Sequence, residues 1–312
     1  MSFGYQVLGF GSGGLVKPSF TIATGGNTIL TVGDYKTHVF TGPGTFVVTA
    51  AGNVPDFPGD PLAGPSKVDY FNVAGGAGCI VGGGGGGGFR TSYPSPDSCA
   101  GAHAIGIQSY PITVGAGAGV GSSGNPSIFS TITSAGGGKG QHYVTDGGDG
   151  PGSGVPGGCG GGAGHASGCA TGGVGNTPPV SPPQGKNGGN SGPSPAITGG
   201  GGGGADCAGA PGPGVGGSGR GIATGFFGPT APSYGETGPA GRYFSGGGGG
   251  SLHGSSPAQA GGLGGGGNGC QHSGTPGIAG AVNMGGGGGG ATQAPNSAGG
   301  GSGLVSIRYK FQ

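Results

Sequence analysis

Leu304-Val305-Ser306-Ile307-Arg308-Tyr309-Lys310-Phe311 closes the chain, with Val305, Ile307, Tyr309 and Phe311 alternating against Ser306, Arg308 and Lys310. This period of two is that of a half-buried β-strand. No strand pattern lies near it, because the preceding residues are dominated by glycine, including the unbroken run Gly285 to Gly290. An isolated strand is not stable, so it must pair with strands at the other end of the chain. That pairing brings both ends of everything between them to one place.

The other end supplies the partners. Phe20 to Ala23 and Thr28 to Val32 flank Gly25-Gly26-Asn27, which reads as a hairpin, and Tyr35 to Phe40 and Thr45 to Thr49 flank Thr41-Gly42-Pro43-Gly44 as a second one. After the proline-rich stretch Pro55 to Pro65, Lys67 to Ala74 alternates again, with Val68, Tyr70 and Asn72 opposite Asp69, Phe71 and Val73. Pro111 to Val114 and Ser127 to Thr133 keep β-like residues, where the sheet resumes briefly. The expected organisation is a leading segment at 1–19, a β base at 20–74 completed by 304–311, and a glycine-rich insert at 75–303.

Of 312 residues, 97 are glycine, in runs such as Gly82 to Gly88, Gly199 to Gly204, Gly246 to Gly250 and Gly285 to Gly290. Collagen needs glycine at every third position and proline at roughly 15–20% or more. The runs break that period, and prolines number only 26. A flexible linker is the competing reading, since ordering each glycine costs about 1–2 kcal/mol. An ordered alternative is a bundle of polyglycine II helices, with three residues per turn and no internal hydrogen bonds. Each N–H and C=O is then free to bond a neighbouring rod at a distance that only glycine permits. The expected fold is therefore mainly β, a small antiparallel sheet or sandwich base closed by the C-terminal strand, carrying a polyglycine II bundle, with no significant α-helix.

Ten Lys and Arg against nine Asp and Glu leave a net charge of +1. Such a balance offers no field for nucleic acid or anionic lipid, and no apolar stretch approaches the length of a membrane span. Met1 to Tyr5 has neither the basic start nor the apolar centre of a signal peptide. Synthesis in a reducing cytoplasm is expected, with any disulfide among Cys79, Cys99, Cys159, Cys169, Cys207 and Cys270 left to form after release. His103, His165 and His272 lie near cysteines, but the C-x-x-C spacing of structural zinc is missing, so the thiols read as small apolar fillers and no metal or other cofactor is expected.

Catalysis finds no constellation. Gly119-Val120-Gly121-Ser122-Ser123-Gly124 fits the dinucleotide fingerprint, yet this glycine content yields about nine such matches by chance. Asp146 and Asp149 in their glycine spacer read as a turn.

Side chains interrupt the glycine at Phe89, Arg90, Tyr93, Phe226, Phe227, Tyr234, Arg242, Tyr243 and Phe244. Rings and arginines on loops at the end of a rigid rod make a binding surface; the alternative is that they cover the bundle against water. Ahead of the base, Phe3, Tyr5, Val7 and Phe10 alternate with smaller residues, a pattern suited to docking by strand addition.

Val73-Ala74-Gly75-Gly76 running into Gly82 to Gly88 and Phe89-Arg90, then Tyr110 to Gly117, Gly124 to Phe129 and Ile132-Thr133, resemble the glycine-rich domain of tailed-phage fibre and adhesin proteins. Tyr234-Gly235-Glu236, Arg242 to Ser245 and the ending Gly299 to Tyr309 are similar to that domain too. The resemblance covers roughly residues 35 to 311. It implies a virion structural protein, often at a fibre tip, whose polyglycine II rods end in loops that read a bacterial receptor, either a glycan or an outer-membrane protein. Assembly with other virion proteins or sister subunits in the host cytoplasm and release by lysis follow from the same resemblance. The cysteines and residues 1–19 depart from it. A purely structural assembly protein, such as a capsid decoration or an extracellular filament subunit, is the second expectation. A glycan hydrolase would need a paired-carboxylate cleft that the sequence does not place.

Overall fold

In the computed structural model the residues described are 19–52, 67–93, 100–142, 152–165, 170–192, 198–222, 224–228, 234–239, 241–252, 258–270, 275–292 and 296–312. The fold is mainly β with a single short 3-10 turn, Thr224–Phe226, among them. The docking candidates Phe3, Tyr5, Val7 and Phe10 lie outside the described residues, as do Cys99, Cys169, Asp146 and Asp149.

Two sheets form the base. The outer sheet orders β1 (Ile22–Thr24), β4 (Gly44–Ala50), β8 (Ser109–Thr113), β9 (Ser127–Phe129) and β10 (Ile132–Ser134). The middle sheet orders β2 (Thr28–Val32), β3 (Tyr35–Phe40), β14 (Leu304–Lys310), β5 (Lys67–Val73) and β6 (Phe89–Thr91), with β7 (His103–Ala104) on the start of β5. The closing strand β14 sits between β3 and β5, antiparallel to both, with Ile307 opposite His38 on one side and Tyr70 on the other. Its pairing with the N-terminal strands is as the alternation requires.

Both expected hairpins are corrected. β1 pairs with β4 and β2 with β3, so the chain changes sheet at Gly25-Gly26 and again at Thr41 to Pro43. Gly25 has φ 110°, and a Cβ there would run into the Thr45 carbonyl. A crossing this tight admits no side chain. The true hairpin turns at Gly33-Asp34, with Gly33 at φ 55° between the paired Val32 and Tyr35.

The middle sheet is buried on both faces, which corrects the half-buried reading of β14. Val68, Tyr70, Val305, Ile307 and Tyr309 face the outer sheet and meet Phe46, Tyr110, Ile112 and Phe129. Val39, Phe71, Val73 and Leu304 face the other way, into a second core built from the insert. His38 is wholly buried in the first core. Its Nδ1 donates to the Gly25 carbonyl at 2.6 Å and its Nε2 accepts from the Tyr309 hydroxyl at 3.1 Å, so a neutral ring satisfies both. Burial holds its pKa below the ordinary value, the Gly25 bond opposes this and nearby Lys36 adds to it. The unfolded chain therefore binds the proton more readily, and stability is expected to fall as pH drops through about 6.5. Melting at pH 7.5 should exceed that at pH 5, and His38→Gln should flatten the difference.

The insert is a bundle of rods. Along Gly82 to Gly88, N–H groups at 82, 85 and 88 donate to the carbonyls of Gln141, Gly138 and Ala135. Those at 83 and 86 donate to Gly200 and Gly203, and those at 84 and 87 to Gly288 and Gly285, all between 2.7 and 3.0 Å. Every third residue returns to the same neighbour, which is the threefold screw of polyglycine II. Carbonyls of the same rod accept from three further segments: Gly83 and Gly86 from Gly162 and Cys159, Val81 and Gly84 from Ser251 and Gly248, Gly85 and Gly88 from Ala77 and Ala74. Six neighbours thus surround one rod. Partner numbers fall along the first neighbour and rise along the second, so antiparallel and parallel contacts mix, as they can where the hydrogen bonds do not depend on chain direction.

Candidate functional site

One end of every rod is fixed by the base. β5 runs into the rod at 74–79, β6 follows the rod at 82–88, β10 leads into 135–141, and β14 follows 297–303. At this end the second core closes the bundle. Phe71 of the middle sheet has Phe244 at 4.6 Å, Phe89 at 5.1 Å, Phe227 at 5.9 Å and Phe226 at 6.0 Å between ring centroids. A three-stranded sheet of β11 (Arg220–Ile222), β13 (Gly241–Phe244) and β12 (Glu236–Gly238) delivers Phe244 and Ile222 to it.

The aromatic candidates are therefore placed at the base, and four are interior. Phe89, Phe226, Phe227 and Phe244 are at most 2% exposed, which corrects their placement on exposed tips. The cause is the bare outer face of the middle sheet: glycine rods bring no apolar side chains to cover Phe71, Val73 and Leu304, so these rings do. Tyr93 is half-buried against Phe226 and under Arg308. Tyr234 is half-buried and donates to Thr28 Oγ1 at 3.1 Å. Arg90 is half-buried and donates to the Thr133 carbonyl at 3.2 Å. Arg242 donates to Thr237 Oγ1 at 2.8 Å, and Tyr243 lies half-buried in β13. A shallow cleft beside Phe89, Arg90 and Arg220 admits about one water molecule, too little for a ligand.

The opposite ends of the rods gather on a distal face. Val81 and Gly82 meet Gln141, Ser251 donates to Val81, Gly199 to Ser251, Ala291 to Ile80 and Cys270 to Gly290. At this face the chain leaves the described residues after 142, 165, 192, 252, 270 and 292, and returns at 152, 170, 198, 258, 275 and 296. The connections between rods there are residues 143–151, 166–169, 193–197, 253–257, 271–274 and 293–295. Exposed side chains beside these exits include Val120, His142, Thr171 and Asn190. Sequence reasoning overlooked this face because none of the six connections holds a phenylalanine or an arginine, and only 143–151 holds a tyrosine. The usable signal was interruption: short stretches of Pro, Ser, His, Gln and Asp between glycine runs.

Two of the described cysteines are sealed inside the bundle. Cys79 donates its thiol to the carbonyls of Gly289 and Ala298 at 2.8 and 3.1 Å, and burial pushes its pKa up to about 12. Burial likewise raises Cys159 to about 11. Neither is a reactive thiol. No group of three metal-ligating side chains occurs among the described residues, and none of the described helices is long and apolar enough to cross a membrane.

The family model of the glycine-rich domain matches residues 60–310, and the chain belongs to that family. No curated protein and no solved structure matches the chain. The match begins beyond β4, yet β1 to β4 supply two strands to each sheet of the base, so the folded unit is larger than the matched span.

Proposed function

We propose that this chain is a structural protein of a phage virion, a tail-fibre or adhesin component that presents the distal connections of its bundle to a bacterial surface. The observation that carries the reading is the division of labour between glycine and side chain. Along the rods a Cβ would stand inside 3.0 Å of a neighbouring backbone at nearly every position, so the rods can display nothing. The basal end is occupied by the aromatic core. The distal face alone is left for side chains that vary without disturbing the fold, held on a rigid support as recognition loops usually are. The order of segments, similar to that of tailed-phage fibre proteins, points the same way. In this reading the partners are a surface glycan or outer-membrane protein on one side and other virion proteins on the other; the protein works by binding, without catalysis or cofactor, on the released particle.

The experiment exchanges each distal connection for a Gly/Ser stretch of equal length and measures binding of the purified protein to host cells. At least one exchange should weaken binding tenfold or more, with melting unchanged, since no rod is altered. Undiminished binding in all six exchanged proteins would refute the reading.

A further inference from the structure

The two sides of the base are finished differently. On the β6 side the insert covers the edge: Phe89 N–H donates to the Gln184 carbonyl and Ala135 N–H to Gln184 Oε1, each at 2.8 Å, and Gln184 is 1% exposed. On the β1 and β2 side no strand pairs with either outer edge among the described residues. Alternate residues of β2 thus direct N–H and C=O groups away from β3 towards an empty position, the usual template for an added strand. Ile29 in β2 is 52% exposed and Ile22 in β1 59%, two of the largest apolar exposures in the base. An edge of this kind, left with isoleucines instead of the lysines or prolines that ordinarily protect it, is an interaction surface.

We propose that the edge of β2 takes up residues 3–10 of a second copy of this chain as an added strand. Phe3, Tyr5 and Val7 share one side of an extended segment and Leu8 and Phe10 the other, the pattern of a strand apolar on both faces. Such a strand fits an edge where the inter-sheet core opens on one face and Leu30 packs on the other. Gly11-Ser12-Gly13-Gly14 follows as a flexible joint, and the eleven residues from 11 to 21 reach at most about 40 Å. The occupant is a second copy because Leu15-Val16-Lys17-Pro18 separates the joint from β1 with no turn residue, and proline restrains Lys17 to extended conformations. The chain is thereby sent past its own edge. Reciprocal exchange between two copies satisfies both edges and closes with twofold symmetry; a cyclic exchange closes a ring.

The test uses the full chain. Its mass in solution, measured by light scattering at tens of micromolar, should be a multiple of the monomer. Ile29→Lys should reduce it to the monomer, because the new charge stands beside the added strand. Tyr5→Lys combined with Val7→Lys should do the same from the other partner. Both changes lie on exposed or terminal positions, so circular dichroism and melting should match the parent protein. A monomeric parent overturns the proposal, as it leaves residues 3–10 to pair within their own chain or not at all. An oligomer that survives both variants overturns it equally, by placing the contact elsewhere.

Discussion

Gly84→Val is expected to yield no folded protein, and Gly84→Ala to lower stability by about 3 kcal/mol or more, while Gly119→Ala changes it by less than about 1. Gly84 lies midway along the rod with six neighbours. A Cβ there would press on the Ala77 carbonyl and stand 3.1 Å from the Gly288 nitrogen, which donates to that carbonyl. Backbone cannot rotate aside as a side chain does. The rods would have to separate, and each displaced hydrogen bond adds about 1 kcal/mol to the overpacking cost. Gly119 is exposed at a distal turn with nothing within 4 Å of its virtual Cβ, and alanine there also restricts the unfolded chain. Thermal melting of the three variants decides the matter. Equal behaviour at both positions is what a flexible linker would give, and would exclude a packed bundle. Amide exchange along Gly199 to Gly204 is an independent check, because those N–H groups are bonded to neighbouring segments and should be strongly protected.

Much of this arrangement was legible before any coordinates. The lone alternation of Val305, Ile307, Tyr309 and Phe311 requires a distant partner, and from that follows the return of the insert to its point of departure. The bundle was legible by elimination, since only backbone-to-backbone contact can order so much glycine. Sheet assignment was not. Alternation reports which residues share a face but not which sheet a strand joins, and Gly25-Gly26-Asn27 looks like a hairpin turn whether the chain reverses in one sheet or crosses to another. The second core was half visible: Phe71 and Val73 oppose Val68 and Tyr70, and a strand apolar on both faces belongs in the middle of three layers. Small polar residues concealed it in β14, where Ser306 lies on the buried bundle side. The aromatics misled for a related reason. A ring flanked by glycine has no local signal of burial, and here its partner Phe71 is more than 150 residues away from Phe226 and Phe244.

Phe244→Ala is accordingly expected to destabilise the protein by about 3–5 kcal/mol, with attachment to cells falling only as the folded fraction falls. Phe244 is fully buried and joins three parts of the molecule at one point: β13, the ring of Phe71 in the middle sheet, and the basal rod ends through its carbonyl beside Gly219 and Gly264. Removing the ring opens a cavity between layers that rods of glycine cannot collapse to fill, since their spacing is set by hydrogen bonds. Phe71→Ala should cost a similar amount, and the double variant less than the sum, because the two rings contact each other. The distal exchanges should show the reverse pattern, with attachment lost and melting kept. Measured together, the two series separate support from recognition. Should Phe244→Ala melt like the parent protein yet fail to attach, the ring would belong to a binding surface and the basal core would be assigned wrongly. Should it unfold as expected while every distal exchange still binds, the core stands and the recognition surface must be sought elsewhere, first along the outer sheet.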